Sequence, residues 1–179
     1  MIVLKTSRLV VRRLTPADID ALHAVYGDAE VVRWAGDRQP LSRALCAQWV
    51  EVTLRNYAVR GYGMFALERQ DDGTVVGFCG LVHPGGQAEA EIKYALARAH
   101  WGQGYATEAA AALLGHAATA LGLRQVIATA APENTASHRV LRKAGLVHGE
   151  LRPNDDGSMT QCFVWQAAGP SGPPRGDPR

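Results

Sequence analysis

The segment from residue 89 to residue 121 constrains the fold most, because a strand, a tight turn and a helix follow one another within it. Residues 89–96 are predicted to form a strand, and Trp101-Gly102-Gln103-Gly104 is predicted to form a turn. The alanine-rich stretch that follows, up to Leu121, predicts a helix able to lie close to a sheet. Gly122 stands where a glycine commonly ends a helix.

The remaining elements are spaced as expected for one domain. Strands are predicted at residues 4–14, 64–68, 74–81, 125–130, 146–151 and 160–166, and helices at 15–26, 42–56 and 134–143. The order, β-α-α-β-β-β-α-β-α-β-β, predicts a mixed α/β sheet with helices on its faces. We predict a single domain over residues 1–168. Residues 169–179 hold four of the nine prolines and no large apolar residue, so we expect a disordered, dispensable tail.

Composition excludes several classes of function. A chain of 179 residues with 47% hydrophobic residues can bury one core, and a net charge of +2 is too small to indicate a nucleic-acid or membrane partner. No apolar run reaches the roughly 18 residues of a membrane span. Cys46, Cys79 and Cys162 lie far apart among apolar neighbours, which favours reduced, buried thiols. We therefore expect a soluble, cytoplasmic protein.

The turn at Gly102 and Gly104 is a candidate anion site. Small residues there let a ligand approach the backbone, and the first N–H groups of the following helix lack helical partners. A Walker loop would need Gly-Lys-Ser/Thr, which is missing from this turn. A dinucleotide fingerprint would need a third glycine where Thr107 stands, and no acidic residue occurs between Glu108 and Glu133. A nucleotide-dependent oxidoreductase remains a lesser alternative.

Three segments together resemble the GNAT acetyltransferases, and among them the group typified by ribosomal-protein N-terminal acetyltransferases. These segments are Thr6-Ser7-Arg8-Leu9-Val10-Val11-Arg12-Arg13-Leu14-Thr15-Pro16-Ala17-Asp18, then Glu91-Ile92-Lys93-Tyr94-Ala95-Leu96 with Trp101-Gly102-Gln103-Gly104-Tyr105-Ala106-Thr107-Glu108-Ala109, and finally Glu133-Asn134-Thr135-Ala136-Ser137 with Lys143-Ala144-Gly145-Leu146. The resemblance implies a central, mostly antiparallel mixed sheet of about seven strands flanked by about four helices.

The resemblance also implies acetyl-CoA as co-substrate and a primary amine as acceptor. The main chain of residues 94–96 would pair with the pantetheine arm, amides of the glycine turn would bind the diphosphate, and Asn134 would contact the pantetheine region. The implied cofactor-binding residues are Tyr94, Ala95, Leu96, Gly102, Gln103, Gly104, Tyr105, Ala106, Thr107, Asn134 and Ser137. Trp101 departs from the superfamily pattern, where many members carry Gln or Arg. A homodimer and a non-catalytic acyl-CoA-binding module are both compatible with the resemblance.

The reaction requires proton removal from an ammonium and proton delivery to a departing thiolate. Glu91 is the candidate base, directly or through water, because it lies on the strand that would carry the thioester. A plain surface carboxylate is the alternative, and Glu89, predicted on the same face, could replace it. Ser137 is the candidate acid, because no tyrosine occurs after Tyr105; helix capping is the alternative role.

The acceptor pocket is less determined by sequence. In the family, the stretch containing Trp34 borders that pocket, although a partly buried core tryptophan is equally compatible with the residues. His83 is a second candidate, with a solvent-facing loop histidine as the alternative. The six histidines show no metal-ligand spacing, so we expect no metal.

Overall fold

The computed structural model describes residues 1–34 and 38–168, and within them one sheet carries every strand. Its order is β1-β2-β3-β4-β5-β6-β8-β7. The strands are β1 (Ile2–Lys5), β2 (Leu9–Arg13), β3 (Met64–Arg69), β4 (Val75–Val82), β5 (Glu91–Leu96), β6 (Gln125–Ala130), β7 (Val147–Pro153) and β8 (Met159–Gln166). The helices are α1 (Ile19–Tyr26), α2 (Ala29–Val32), α3 (Arg43–Arg60), α4 (Tyr105–Thr119) and α5 (Thr135–Lys143).

The mixed, mostly antiparallel sheet predicted from the sequence is confirmed, with eight strands in place of about seven and five α-helices in place of about four in the described residues. The extra strand arises because residues 4–14 are not one strand. They form the β1–β2 hairpin, whose turn is closed by the Thr6 N–H donating to the Leu9 carbonyl at 2.9 Å. The extra helix is the single turn α2. It begins after Asp28, and the Asp28 carboxylate caps it by accepting a hydrogen bond from the Glu30 N–H.

Helices cover both faces of the sheet, and alternate residues of β3 show how the core divides. Phe65 and Leu67 belong to the cluster that includes the alanines and leucines of α4. Met64 and Ala66 belong to the second cluster, which includes residues of α1, α2 and α3. This period of two is the expected consequence of strand geometry, and it places two helical layers on opposite sides of the sheet.

The sheet is interrupted between its two central strands. β5 pairs with β4 at all six positions from Glu91 to Leu96, but with the parallel strand β6 only at Glu91–Ile127. The Ile127 N–H donates to the Ala90 carbonyl at 2.9 Å, and no later pair joins the two strands in the described part of the chain. The edge of β5 that faces β6 is therefore available to a ligand over residues 93–96.

Candidate active site

One cavity of about 1080 Å³ extends from this gap to the helical layer of α1, α2 and α3. On one side it is lined by β5, the glycine turn, the start of α4 and one face of α5. On the other side its lining includes Tyr26, Glu30, Trp34, Trp49, Val52, Thr53, Asn56 and His83. A ligand in the gap and a second ligand among the helices would thus share one continuous space.

The glycine turn and the start of α4 bring main-chain N–H groups to this cavity. Gly102 and Gly104 have φ of 72° and 83°, left-handed values that glycine adopts without the strain imposed on other residues. The first helical hydrogen bond runs from the Glu108 N–H to the Gly104 carbonyl at 3.0 Å, and α4 has no side-chain cap. The N–H groups of residues 105–107 therefore lack helical partners, and a helix start carries about half a positive charge. The free N–H groups and the partial positive charge both favour binding of a diphosphate at this turn.

The C-terminal end of β5 is partly occupied by a side chain. The Trp101 indole N–H donates to the Leu96 carbonyl at 2.8 Å. Trp101, where this sequence departs from the superfamily pattern, thus anchors the glycine turn to β5. Because the Leu96 carbonyl is already bonded, pairing of a pantetheine arm with β5 falls mainly to the groups of residues 93–95.

The two α5 residues singled out in the sequence have different roles. Asn134 caps the helix, since its Oδ1 accepts from the Ser137 N–H at 3.2 Å. The capping role considered for Ser137 is therefore wrong. Its Oγ lies 2.6 Å from the Tyr94 hydroxyl instead, and both residues line the cavity. Burial raises the pKa of the Tyr94 phenol, while the Ser137 hydrogen bond acts in the opposite direction.

The Tyr94 phenol is the candidate functional group that sequence analysis missed. The main chain of Tyr94 was assigned to pantetheine, and no local pattern indicated that the phenol would meet Ser137, 43 residues away. The alternation of β5 was the available signal, because Tyr94 lies on the same face as Ile92 and Leu96, toward α4 and α5. The two hydroxyls form a chain along which a proton can move.

Glu91 is buried and enclosed. Its side chain is 4% exposed, with Lys93 Nζ at 2.5 Å, and it accepts a hydrogen bond from the Thr129 hydroxyl. Lys93 and Thr129 line the cavity, whereas Glu91 is not among its lining residues. The surface-carboxylate alternative is therefore wrong. Glu89 is exposed and precedes β5, so it does not share a strand face with Glu91.

His83 is held in a defined orientation at the helical side of the cavity. Its Nδ1 lies 2.9 Å from the Gln87 carbonyl, which can only accept, so Nδ1 carries the hydrogen. In the neutral ring Nε2 then accepts from the Tyr62 hydroxyl at 2.9 Å. Trp34 is 37% exposed, with the Arg33 guanidinium 5.1 Å from its ring centroid, and it is not a core residue. Ala35 and Gly36 lie outside the described residues.

All the predicted cofactor residues except Gln103 line the cavity, together with Trp34 and His83. Gln103 is turned away, and its carbonyl accepts from Arg8 Nη1 at 2.9 Å. Glu30 is the only acidic residue of the described lining, which also contains Arg33, Lys93, Arg139 and Lys143. Such an excess of cationic groups suits the phosphates of coenzyme A.

Other chemistries have little support in the described residues. Cys79 is 1% exposed, and burial raises the pKa of its thiol to about 12, so it stays protonated. Within residues 1–34 and 38–168 no group of three or more His, Cys, Asp or Glu side chains is arranged to hold a metal ion. In the same residues no helix combines the length and apolarity needed to cross a membrane.

Residues 8–147 match the family model described as acetyltransferase (GNAT) domain. The chain is 30% identical over 145 residues to the uncharacterized N-acetyltransferase YoaA of Bacillus subtilis strain 168, covering 80% of this chain and 81% of YoaA. It is 31% identical over 140 residues to the uncharacterized N-acetyltransferase p20 of Bacillus licheniformis, covering 77% and 78% of the two chains.

Solved structures share the fold. An acetyltransferase from Agrobacterium tumefaciens strain C58 matches with a TM-score of 0.78 and 26% identity, covering 92% of this chain and 94% of its own. RimL, a ribosomal L7/L12 alpha-N-protein acetyltransferase solved with coenzyme A, matches with a TM-score of 0.79 over 93% and 98% of the two chains. At 20% identity, RimL is evidence for the fold alone.

Proposed function

This chain belongs to the GNAT acetyltransferase family, and on that premise we propose that it transfers the acetyl group of acetyl-CoA to the α-amine of a protein N-terminus or of a small molecule. The proposal rests on one observation, the continuous cavity that joins the β5–β6 gap, the glycine turn and the helical layer. The three buried free cysteines favour a reducing compartment, so we place the reaction in the cytoplasm.

The residues that surround the gap fit coenzyme A. The unpaired edge of β5 at residues 93–95 offers main-chain groups to the amides of pantetheine, as an adjacent strand would. The N–H groups at the start of α4 would bind the diphosphate. Bound acetyl-CoA supplies an acetyl thioester, which a neutral amine attacks with release of a thiol. A main-chain N–H next to Ala95 on the free edge of β5 is the candidate donor for the oxygen that gains charge during this attack, because the Ala95 N–H itself faces β4.

Glu91 is proposed as the proton acceptor. Its carboxylate is enclosed by Lys93 and Thr129, so a proton from the cavity would reach it through the Thr129 hydroxyl or a water molecule. The Lys93 ammonium, 2.5 Å from the carboxylate, balances its negative charge.

The cost of deprotonation favours an α-amine as acceptor. At pH 7 deprotonation of an α-amine, with a pKa of about 8, costs about 1.4 kcal/mol, against about 4–5 kcal/mol for a lysine side chain. His83 and Trp34 border the part of the cavity where the acceptor would lie. The lining there is largely aromatic and aliphatic, so we expect an apolar group next to the amine.

Ser137 and Tyr94 are proposed to deliver the second proton. Ser137 Oγ would donate a proton to the departing thiolate and regain one from the Tyr94 hydroxyl, 2.6 Å away. The Tyr94 phenolate would then take up a proton from solvent water once the thiol has left. The raised pKa of Tyr94 keeps its phenol protonated at neutral pH, as a donor requires.

Mass spectrometry of peptide pairs tests the proposal. Each pair shares one sequence containing a single lysine, one member with a free N-terminus and the other with a blocked one. With acetyl-CoA, we expect the free peptide to gain one acetyl group on its α-amine and the blocked peptide to gain none. Spermidine and an aminoglycoside serve as acceptors without an α-amine. Acetylation of the blocked peptide's lysine would overturn the assignment to α-amines.

Thermal unfolding separates the alternative functions. CoA at about 100 times its Kd should stabilise the protein by about 2.7 kcal/mol, which raises Tm by about 5–10 °C for a chain of this size. Stabilisation without acetylation of any amine in a broad panel would favour an acyl-CoA-binding module. A larger shift with NAD or NADP than with CoA would favour the oxidoreductase alternative.

A further inference from the structure

The carboxylate of Glu108, in the first turn of α4, is bonded entirely to the turn of the β1–β2 hairpin. Oε1 accepts from the Thr6 hydroxyl at 2.6 Å, the Ser7 hydroxyl at 2.9 Å and the Arg8 N–H at 2.9 Å. Oε2 accepts from Arg8 Nε at 2.7 Å and lies 2.6 Å from Arg8 Nη2. Three consecutive residues of the hairpin are thereby fixed to the helix start.

These contacts keep the carboxylate ionised and its charge balanced. Burial alone would raise the pKa of Glu108, but the hydrogen bonds from Thr6 and Arg8 outweigh it and lower the pKa. A negative charge beside a helix N-terminus stabilises the helix but would repel an anion bound there. Arg8 pairs with this charge through two nitrogens, so the diphosphate site is not exposed to an uncompensated carboxylate.

The same guanidinium also reaches the glycine turn. Arg8 Nη1 donates to the Gln103 carbonyl at 2.9 Å, and the guanidinium carbon lies 4.5 Å from the centroid of the Tyr105 ring. In a planar trans peptide the carbonyl and the next N–H point in opposite directions. With the Gln103 carbonyl bonded to Arg8, the Gly104 N–H points away from Arg8. Gly104 lines the cavity, whereas Arg8 and Gln103 do not.

From these contacts we propose that Arg8 is a positioning residue for the diphosphate of coenzyme A: held by Glu108, it fixes the Gln103–Gly104 peptide so that the Gly104 N–H serves as a donor, and it neutralises the Glu108 carboxylate next to that site. The inference rests on the proposed function, because it presupposes that the turn binds coenzyme A. The inference gives Thr6-Ser7-Arg8 a role in binding coenzyme A, because these residues hold Glu108 and the glycine turn but take no part in the proton transfers.

Isothermal titration of CoA into Arg8→Gln, Glu108→Gln and the double variant tests the inference. We expect Arg8→Gln to raise the Kd for CoA about tenfold, because the peptide loses its anchor and Glu108 is left unpaired beside the diphosphate. The double variant should bind CoA more tightly than Arg8→Gln, since the repelling carboxylate is gone. A merely structural role predicts that the double variant binds no better than the single one, and that result would overturn the proposal.

Arg12→Gln is the matched control. Arg12 lies on β2, is bonded to Asp18 and Glu68, and does not line the cavity. Its replacement should lower Tm without changing the Kd for CoA.

A second readout uses S-acetylpantetheine, an acetyl donor that lacks the diphosphate. The kcat/KM with this donor should be the same for Arg8→Gln and wild type. Wild type that fails to bind CoA would reject the proposed function; equal CoA affinity of wild type and Arg8→Gln would reject only this inference.

Discussion

The phenol of Tyr94 and the hydroxyl of Ser137, which lie 2.6 Å apart in the cavity, are the pair proposed above to deliver a proton. Tyr94 is set by β5 and Ser137 by the first turn of α5, which Asn134 caps. Because two separate elements hold the two hydroxyls, neither depends on the other for its position. Removing one hydroxyl should therefore lower kcat much more than it lowers the stability of the folded protein.

We expect Tyr94→Phe to lower kcat about 100-fold, the lower range for loss of a proton donor, with little change in KM for acetyl-CoA. Ser137→Ala should have a similar effect, and the double variant should add little, because the two hydroxyls act as one path. Steady-state kinetics with the preferred amine measures both parameters. Full kcat in Tyr94→Phe would exclude the path.

Tyr57→Phe is the control for this pair. Tyr57 is buried outside the cavity, where its hydroxyl donates to the Met64 carbonyl and accepts from the Leu14 N–H at 3.0 Å. Its removal leaves a buried N–H unsatisfied, so stability should fall by about 1–3 kcal/mol. The kcat should stay at the wild-type value.

Among the elements, the junction from β2 to α1 depends on one buried carboxylate. Asp18, with a side chain 6% exposed, accepts from both Arg12 Nη atoms at 2.8 and 2.9 Å and from the Thr15 N–H at 2.8 Å. Burial alone would raise the pKa of Asp18, yet the hydrogen bonds from Arg12 and Thr15 lower it. The ionised form is therefore part of the folded state.

Asp18→Asn should lower the free energy of unfolding by about 2 kcal/mol at pH 7. The folded pKa lies below the unfolded value of about 3.9, so the contribution of Asp18 is complete above that pH and is lost as pH falls through the folded pKa. Urea unfolding at pH 7 and at pH 3 should show the difference between wild type and variant shrinking at the lower pH. The exposed Asp71, paired with Arg69, is the control; Asp71→Asn should change stability by less than about 0.5 kcal/mol.

Elements with strong local signals were predictable, and those set by distant contacts were not. β6 was predicted with both ends at the observed residues, and α5 was predicted over residues 134–143 with Gly145 after its end, one residue longer at its start than observed. The β1–β2 turn was missed because Thr6-Ser7-Arg8 contains no turn-forming glycine, asparagine or proline. That turn is held by Glu108, about 100 positions away, which no local pattern encodes.

For the candidate site, the backbone was more predictable than the side chains. Glycine spacing and a helix start located the turn, since both are properties of adjacent residues. The enclosure of Glu91 by Lys93 and Thr129 depends instead on the packing of β5 beside β6. The orientation of Gln103 away from the cavity depends on Arg8, which lies in the β1–β2 turn.

At the scale of the whole sheet, the described residues contain a single parallel strand pair, and it lies where the cavity opens. Every other neighbouring pair is antiparallel, and adjacent strands on both sides of the gap pair over five or six positions. Two well-paired halves of the sheet therefore meet at Glu91–Ile127 and leave the rest of the β5 edge unbonded. A ligand with amide groups can complete the sheet at this edge.

Hydrogen exchange with and without CoA tests whether the ligand completes the sheet. Unbonded amides exchange quickly, so a bound pantetheine arm and diphosphate should slow exchange in two segments, residues 93–96 and 102–107. Residues 147–153, in the edge strand β7, should exchange at unchanged rates and serve as the internal control. Slowed exchange confined to α1 and α3 would place CoA in the helical layer and contradict a site at the gap. Protection of both predicted segments would instead require a ligand that spans from β5 to the start of α4, because no shorter molecule contacts both.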